Sequence, residues 1–170
     1  MQRRDLLRGL AAASLLAGTP SANAAEIAPL RRARPGDATW PTQAQWSQLD
    51  HLVGGRLVRP TSLYGTCNSD PTSAGCIGVL PYLRNPFYIG DQPGGTQVSG
   101  WLDAWQPATS PYAVAARHTS DVVAAVNFAR RHNLRVAVKG GGHSYQGTSN
   151  APDSLLIWTH PMRRVTLHDH

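Results

Sequence analysis

The segment Lys139-Gly140-Gly141-Gly142-His143-Ser144-Tyr145-Gln146-Gly147-Thr148-Ser149 concentrates the chemistry that this sequence of 170 residues can offer. Four of the residues from 140 to 147 are glycine. Without a Cβ, such residues reach positive φ and let the chain bring several backbone N–H groups close to one anion. A pyrophosphate is the natural guest, and Ser144, Thr148 and Ser149 add hydroxyl donors. Two familiar phosphate patterns do not match. The Gly-x-Gly-x-x-Gly fingerprint meets Tyr145 where its third glycine belongs. Gly142 and Gly147 have the Walker A spacing, but Thr148 stands in place of the phosphate-gripping lysine, and Asn150-Ala151-Pro152 does not open a helix. Read alone, the loop is either an anion cradle or a plain glycine-rich turn.

The elements that must position this loop lie on both sides of it. Leu134–Val138 reads as a strand running straight into Lys139. Upstream, Tyr112–Ala116 is a short apolar strand. His118-Thr119-Ser120-Asp121 then starts a helix, with Thr119 or Ser120 as N-cap and Asp121 favourable in the first turn. Val122, Ala125, Val126 and Ala129 set its apolar face, which Val123 broadens. Arg130-Arg131-His132 suit its last turn, and Asn133 suits the left-handed position beyond it. Strand, helix and strand with short connections predict a βαβ unit with parallel strands. Ser154–Trp158 and Val165–Leu167 are further strand candidates, so the class is α+β.

Residues 25–107 read as an irregular segment with one short helix, from Trp40-Pro41 to Leu52. Thr42 caps that helix, Trp46, Leu49 and Val53 share a face, and Gly54-Gly55 end it. Tyr82, Phe87, Tyr88, Trp101 and Trp105 read as anchors packing this segment onto a core, with a carbohydrate platform as the alternative. Residues 1–24 read as an export leader. Arg3, Arg4 and Arg8 precede an apolar stretch from Gly9 to Gly18 and an Ala22-Asn23-Ala24 cleavage site. The Arg3-Arg4 pair followed by Leu6-Leu7 suggests the twin-arginine route, which carries folded proteins; an ordinary secretory signal is the other reading. The expected location is periplasmic or secreted. There Cys67 and Cys76 have an oxidising compartment available, and a disulfide between them would contribute roughly 2.5–3 kcal/mol through loop entropy. Free thiols are the alternative, and two cysteines alone do not make a zinc site.

Charge excludes other classes. The net +6 comes from 15 Arg and one Lys against 10 acids. The Arg are scattered, with no recognition module, so no nucleic-acid partner is expected. No apolar run reaches the ~20 residues of a membrane span. His168-Asp169-His170 has a metal-like look but reads as a solvated chain end, and His51, His118, His132 and His160 look isolated.

Pro111-Tyr112 through Thr119-Ser120-Asp121-Val122-Val123-Ala124-Ala125-Val126, together with Val138 through Ser149, resembles the start of the flavin-binding domain of the vanillyl-alcohol-oxidase/PCMH superfamily. The berberine-bridge-like, FAD-linked oxidase branch is nearest. The resemblance covers about residues 108–170, and segment 31–107 is similar to the N-terminal region of bacterial members with a twin-arginine leader. It implies the N-terminal part of a PCMH-type FAD-binding domain, incomplete within 170 residues. It implies that the Gly140–Ser149 loop wraps the FAD pyrophosphate, with Lys139, Gly140, Gly141, Gly142, His143, Ser144, Tyr145, Gly147, Thr148 and Ser149 as the cofactor-binding set. His143 falls on the histidine that many members bond covalently to the 8α-methyl carbon of the isoalloxazine, and that others leave hydrogen-bonded to FAD. A neutral imidazole, with an ordinary pKa of about 6.5, has the lone pair that such a bond needs. Lys139 stands where many relatives have Arg. The implied protein is an FAD-dependent oxidoreductase that passes a hydride from a small-molecule substrate to flavin, with oxygen or another acceptor reoxidising it. Family members are far longer, so the catalytic base and the substrate domain would lie beyond residue 170. An inactive exported fragment, or a ligand-binding module without catalysis, is the competing expectation.

Overall fold

The structure, a computed structural model, describes residues 31–97 and 108–168. The expected leader, Trp101, Trp105, Asp169 and His170 lie outside the described residues. Helix α1 (Gln43–Leu52) starts at a capping box: the Gln45 N–H donates to Thr42 Oγ1 at 3.4 Å, and the Thr42 N–H donates to Gln45 Oε1 at 2.8 Å. Such a cap is worth about 1 kcal/mol. Gly54 and Gly55, at φ of +63° and +74°, turn the chain into the short strand β1 (Leu57–Val58). The helix, its cap and its stop are those read from the sequence.

Among its described residues, the segment expected to be irregular holds three further short α-helices, α2 (Gly65–Ser69), α3 (Ala74–Val79) and α4 (Pro86–Gly90), and a 3-10 turn at Leu80–Tyr82. Each is shorter than two turns, so no apolar period could reveal it. Ser73 and Asn85 cap α3 and α4 through their side-chain oxygens. Cys67 in α2 is bonded to Cys76 in α3 as a disulfide. Tyr82 and Phe87 are not core anchors. Both are exposed, and Tyr82 stacks on Tyr88 instead.

Strand β2 (Tyr112–Ala115) leads into helix α5 (Thr119–Arg131). The N-cap is His118, not Thr119 or Ser120, because the carboxylate of Asp121 reaches back. Its Oδ2 accepts the N–H groups of Arg117 at 2.9 Å and His118 at 3.0 Å. The helix is also rotated from the expected face. It buries Asp121, Ala125, Phe128 and Ala129, while Val123 and Val126 are exposed. The reason is Phe128, whose ring lies 4.9 Å from Trp46 of α1 and draws that side of α5 inward. Trp46 also stacks on Tyr112 at 4.0 Å. As expected, Asn133 takes the left-handed conformation, φ +51°, after the helix.

Strands β3 (Arg135–Lys139) and β4 (Ser154–Trp158) complete a four-stranded sheet of order β1-β2-β4-β3. The three long strands are parallel, and β1 is antiparallel to β2. The βαβ strands are therefore parallel as read, but β4 separates them. Its run Ser154-Leu155-Leu156-Ile157 is buried throughout, the signature of a strand covered on both faces. On one face Val114, Leu155 and Ile157 meet Trp46, Leu49, Phe128 and Ala129; on the other, Ala113, Ala137 and Leu156 form a smaller cluster. Val165–Leu167 is not a strand. It has no ladder partner among the described residues, and Val165 and Leu167 are exposed. No helix among the described residues is long and apolar enough to cross a membrane.

Candidate functional site

Parallel β2, β4 and β3 end at one edge of the sheet, where ligands of open α/β sheets gather. The glycine-rich loop leaves β3 there and returns to β4. Lys139 is the last residue of β3 rather than the first of the loop, and its side chain is fully buried. Its Nζ donates to the carbonyls of Gln92 at 2.6 Å, Pro93 at 2.8 Å and Gly95 at 2.8 Å. An ammonium has three N–H donors, so this set uses all of them. The ammonium also lies 5.5 Å from the centre of the Trp158 ring. Burial lowers the Lys139 pKa to about 8, which leaves it mostly charged at neutral pH. Lys139, expected among the cofactor contacts, thus has its donors committed to the 92–95 turn.

The other end of the loop is tied to the same turn. Asn150 Nδ2 donates to the Pro93 carbonyl at 3.2 Å, and its Oδ1 accepts from the Ser110 N–H at 3.1 Å and the Ser110 hydroxyl at 3.2 Å. Ser110 also bonds Ser154 at 2.8 Å. In the middle, the Gln97 N–H donates to the Gly142 carbonyl at 2.7 Å. Gly142 has φ +78°, and a Cβ there would lie 2.9 Å from the Gly95 carbonyl oxygen, so only glycine fits without a backbone shift.

Between these ties the loop is open. Gly140, Gly141 and His143 are exposed, and a Cβ on Gly141 would meet nothing within 4 Å. The N–H groups of Gly141, Gly142 and His143 donate to no protein acceptor among the described residues. Gly147, at φ +72°, turns the chain back. Ser144 and Thr148 share a hydroxyl–hydroxyl bond of 2.8 Å, which uses one of their two protons and leaves one for a ligand. Ser149 is buried, away from this rim. His143 sets its ring edge-on to Tyr145, with centroids 5.7 Å apart. No acidic residue falls between 139 and 152. Free N–H groups, a hydroxyl proton and no carboxylate form a donor set that fits an anionic pyrophosphate such as that of FAD.

Two groups near the loop were not evident in the sequence. His160, read as isolated, bonds Asp91 at 2.7 Å, and Arg163 reaches the same carboxylate oxygen at 2.7 Å. The His160 bond, then the Arg163 bond, hold the Asp91 carboxyl below its ordinary range. Asp91 follows α4, whose Gly90 closely approaches the Gly141 carbonyl; a Cβ on Gly90 would lie 3.4 Å from it. At the carboxyl ends of β2 and β4, a cavity of about 500 Å³ is lined by Arg117, His118, Thr119, Ser120, Met162 and Arg164. Arg117 and Arg164 make it cationic. Separation in sequence hid both groups, since only the parallel ladder brings residues 117–120 to residues 162–164.

Residues 110–170 match the model of a family described as an FAD binding domain. An FAD-linked oxidoreductase of Gibberella zeae is 29% identical over 91% of this chain and 30% of its own length. An FAD-linked oxidoreductase of Claviceps fusiformis is 30% identical over 82% of this chain and 28% of its own length. The chain thus spans less than a third of these relatives. The crystal structure of a VAO-type flavoprotein from Myceliophthora thermophila superposes with a TM-score of 0.67 at 24% identity, over 79% of this chain and 26% of that one. The sheet and its helices are therefore part of a VAO-type FAD-binding fold.

Proposed function

On the premise that residues 110–170 match an FAD binding domain, we propose that this chain is the N-terminal part of an exported FAD-dependent oxidoreductase. The observation that carries this reading is the loop between β3 and β4. Its two ends are fixed to one turn, while the N–H groups of Gly141, Gly142 and His143 bond no protein acceptor among the described residues. These amides and a hydroxyl proton of Ser144 or Thr148 would hold the pyrophosphate. When bound, FAD supplies a two-electron acceptor for a hydride from a small-molecule substrate. His143 presents an exposed imidazole whose nitrogens bond no protein atom among the described residues, and it is the group for attachment to the 8α carbon of the flavin. Gly140 and Gly141, just before it, carry no side chain that could crowd that ring. Within the family, the berberine-bridge-like branch, oxygen as acceptor and a twin-arginine leader at Arg3-Arg4 belong to the same proposal. They rest on the sequence pattern.

The test is denaturing gel fluorescence of the full-length protein produced with ample flavin. A fluorescent, acid-stable band that His143→Ala abolishes is the expected result. A band that survives the substitution removes the covalent link from His143. Absence of any flavin after gentle purification removes the whole reading.

A further inference from the structure

The only lysine of this chain, against 15 arginines, is buried. We infer that Lys139 is a positioning residue, whose ammonium fastens the 92–97 segment under the glycine loop and so fixes the loop conformation that receives the flavin. The inference rests on the proposed flavin site and deepens it.

The tripod of carbonyls explains why a lysine stands here. Gln92, Pro93 and Gly95 offer three oxygens at 2.6–2.8 Å, which suits a compact ammonium with three donors. A planar guanidinium sends its donors out in a flat fork and cannot converge on them in the same way. The turn itself is closely packed. A Cβ on Gly94 would lie 2.0 Å from the Thr61 carbonyl oxygen, and one on Gly95 would lie 2.3 Å from that of Ile89, so backbone packs against backbone on its far side. On the near side the Gln97 N–H grips the Gly142 carbonyl at 2.7 Å, and the Lys139 side chain lies against Gly142 as well. Asn150 ties the loop exit to Pro93. Entry, middle and exit of the loop are therefore all referred to residues 92–97. Removing the ammonium leaves three carbonyls without their shared donor and frees the Gly140–Gly142 backbone. The displacement falls on the amides that carry no other bond among the described residues, and on His143 next to them. Lys139 touches no reacting atom in this scheme; it acts through Gly142.

The experiment compares full-length wild type, Lys139→Met and Asn150→Ala by amide hydrogen exchange without flavin, and by visible absorption and fluorescence with FAD bound. In Lys139→Met, exchange at Gln97 and across 140–148 should rise about tenfold or more, the cost of one lost buried tie, while amides of α5 keep their wild-type rates. The same variant should show altered flavin absorption and fluorescence and a smaller acid-stable flavin fraction. Asn150→Ala, which keeps the ammonium, should loosen residues 147–150 and leave Gln97 protected. Unchanged exchange in Lys139→Met overturns the inference, and so does acceleration spread equally over α5. If Lys139→Met does not fold, Asn150→Ala decides: freed exchange at Gln97 in that variant assigns the clamp to Asn150 and overturns the inference. Wild type without flavin would defeat the function proposed above, yet the exchange comparison would still read the role of Lys139.

Discussion

Asp121 is the acid on which the turn from β2 into α5 depends, and its removal should be costly in a pH-dependent way. Its side chain is 3% exposed, and Oδ1 meets the Arg56 guanidinium at 2.5 Å while Oδ2 takes two backbone N–H groups. Breaking a buried ion pair costs about 3–5 kcal/mol, largely because the surviving charge stays unpaired. The Arg56 side chain is 26% exposed and regains some water, which places Asp121→Ala at the lower end, about 3 kcal/mol. Asp121→Asn keeps one acceptor for the amides but loses the charge and the acceptor for Arg56, so about 2 kcal/mol is expected. Burial alone would raise the Asp121 pKa, but the Arg117 and His118 amides and Arg56 outweigh it and hold the carboxyl below its ordinary range. With the folded value below the unfolded one of about 3.9, the stabilisation is complete above that pH and disappears as pH falls through the folded value. Urea unfolding of wild type and Asp121→Asn from pH 7 down to pH 3 measures this directly. The gap between them should be constant at neutral pH and narrow below about pH 4. A gap that persists unchanged to pH 3, or one under about 0.5 kcal/mol at pH 7, would refute the assignment.

Gly142→Ala should combine about 1–2 kcal/mol of left-handed strain with a 2.9 Å contact to the Gly95 carbonyl, so flavin retention after gel filtration should fall while the far-ultraviolet dichroism stays. Intact retention would show that the loop tolerates a Cβ. Replacing both Cys67 and Cys76 with Ala should cost up to roughly 2.5–3 kcal/mol locally and admit a protease between α2 and α3; resistance equal to wild type would count against a stabilising role.

Where one short stretch of chain decided the outcome, the sequence was readable. Thr42 with Gln45 three residues on announced the start of α1, Asn133 announced the end of α5, and the apolar run 154–158 announced β4. Where a distant partner decided, it was not. The rotation of α5 follows from Phe128 meeting Trp46, and the exposure of Val126 follows in turn. The glycine loop was visible from its composition. The clamp beneath it was not, because Lys139 reads as a cofactor contact until the 92–95 carbonyls are brought to it. Asp91 and His160 are likewise joined only by the folded chain. Val165–Leu167 misled because alternation of apolar residues does not by itself supply a neighbouring strand.

The strand order β1-β2-β4-β3 imposes a sequence of events on synthesis. β2, α5 and β3 leave the ribosome before β4, and the finished sheet needs a strand-wide gap between β2 and β3, about 10 Å. Only β4 can fill it, and it enters last of the four. The segment that swings β4 into that slot is the glycine-rich loop itself. The loop therefore reaches its final path only once β4 is in place. On the proposed function, flavin uptake follows that closure, so a nascent chain stalled before Ser154 should be unable to hold the cofactor however much is supplied.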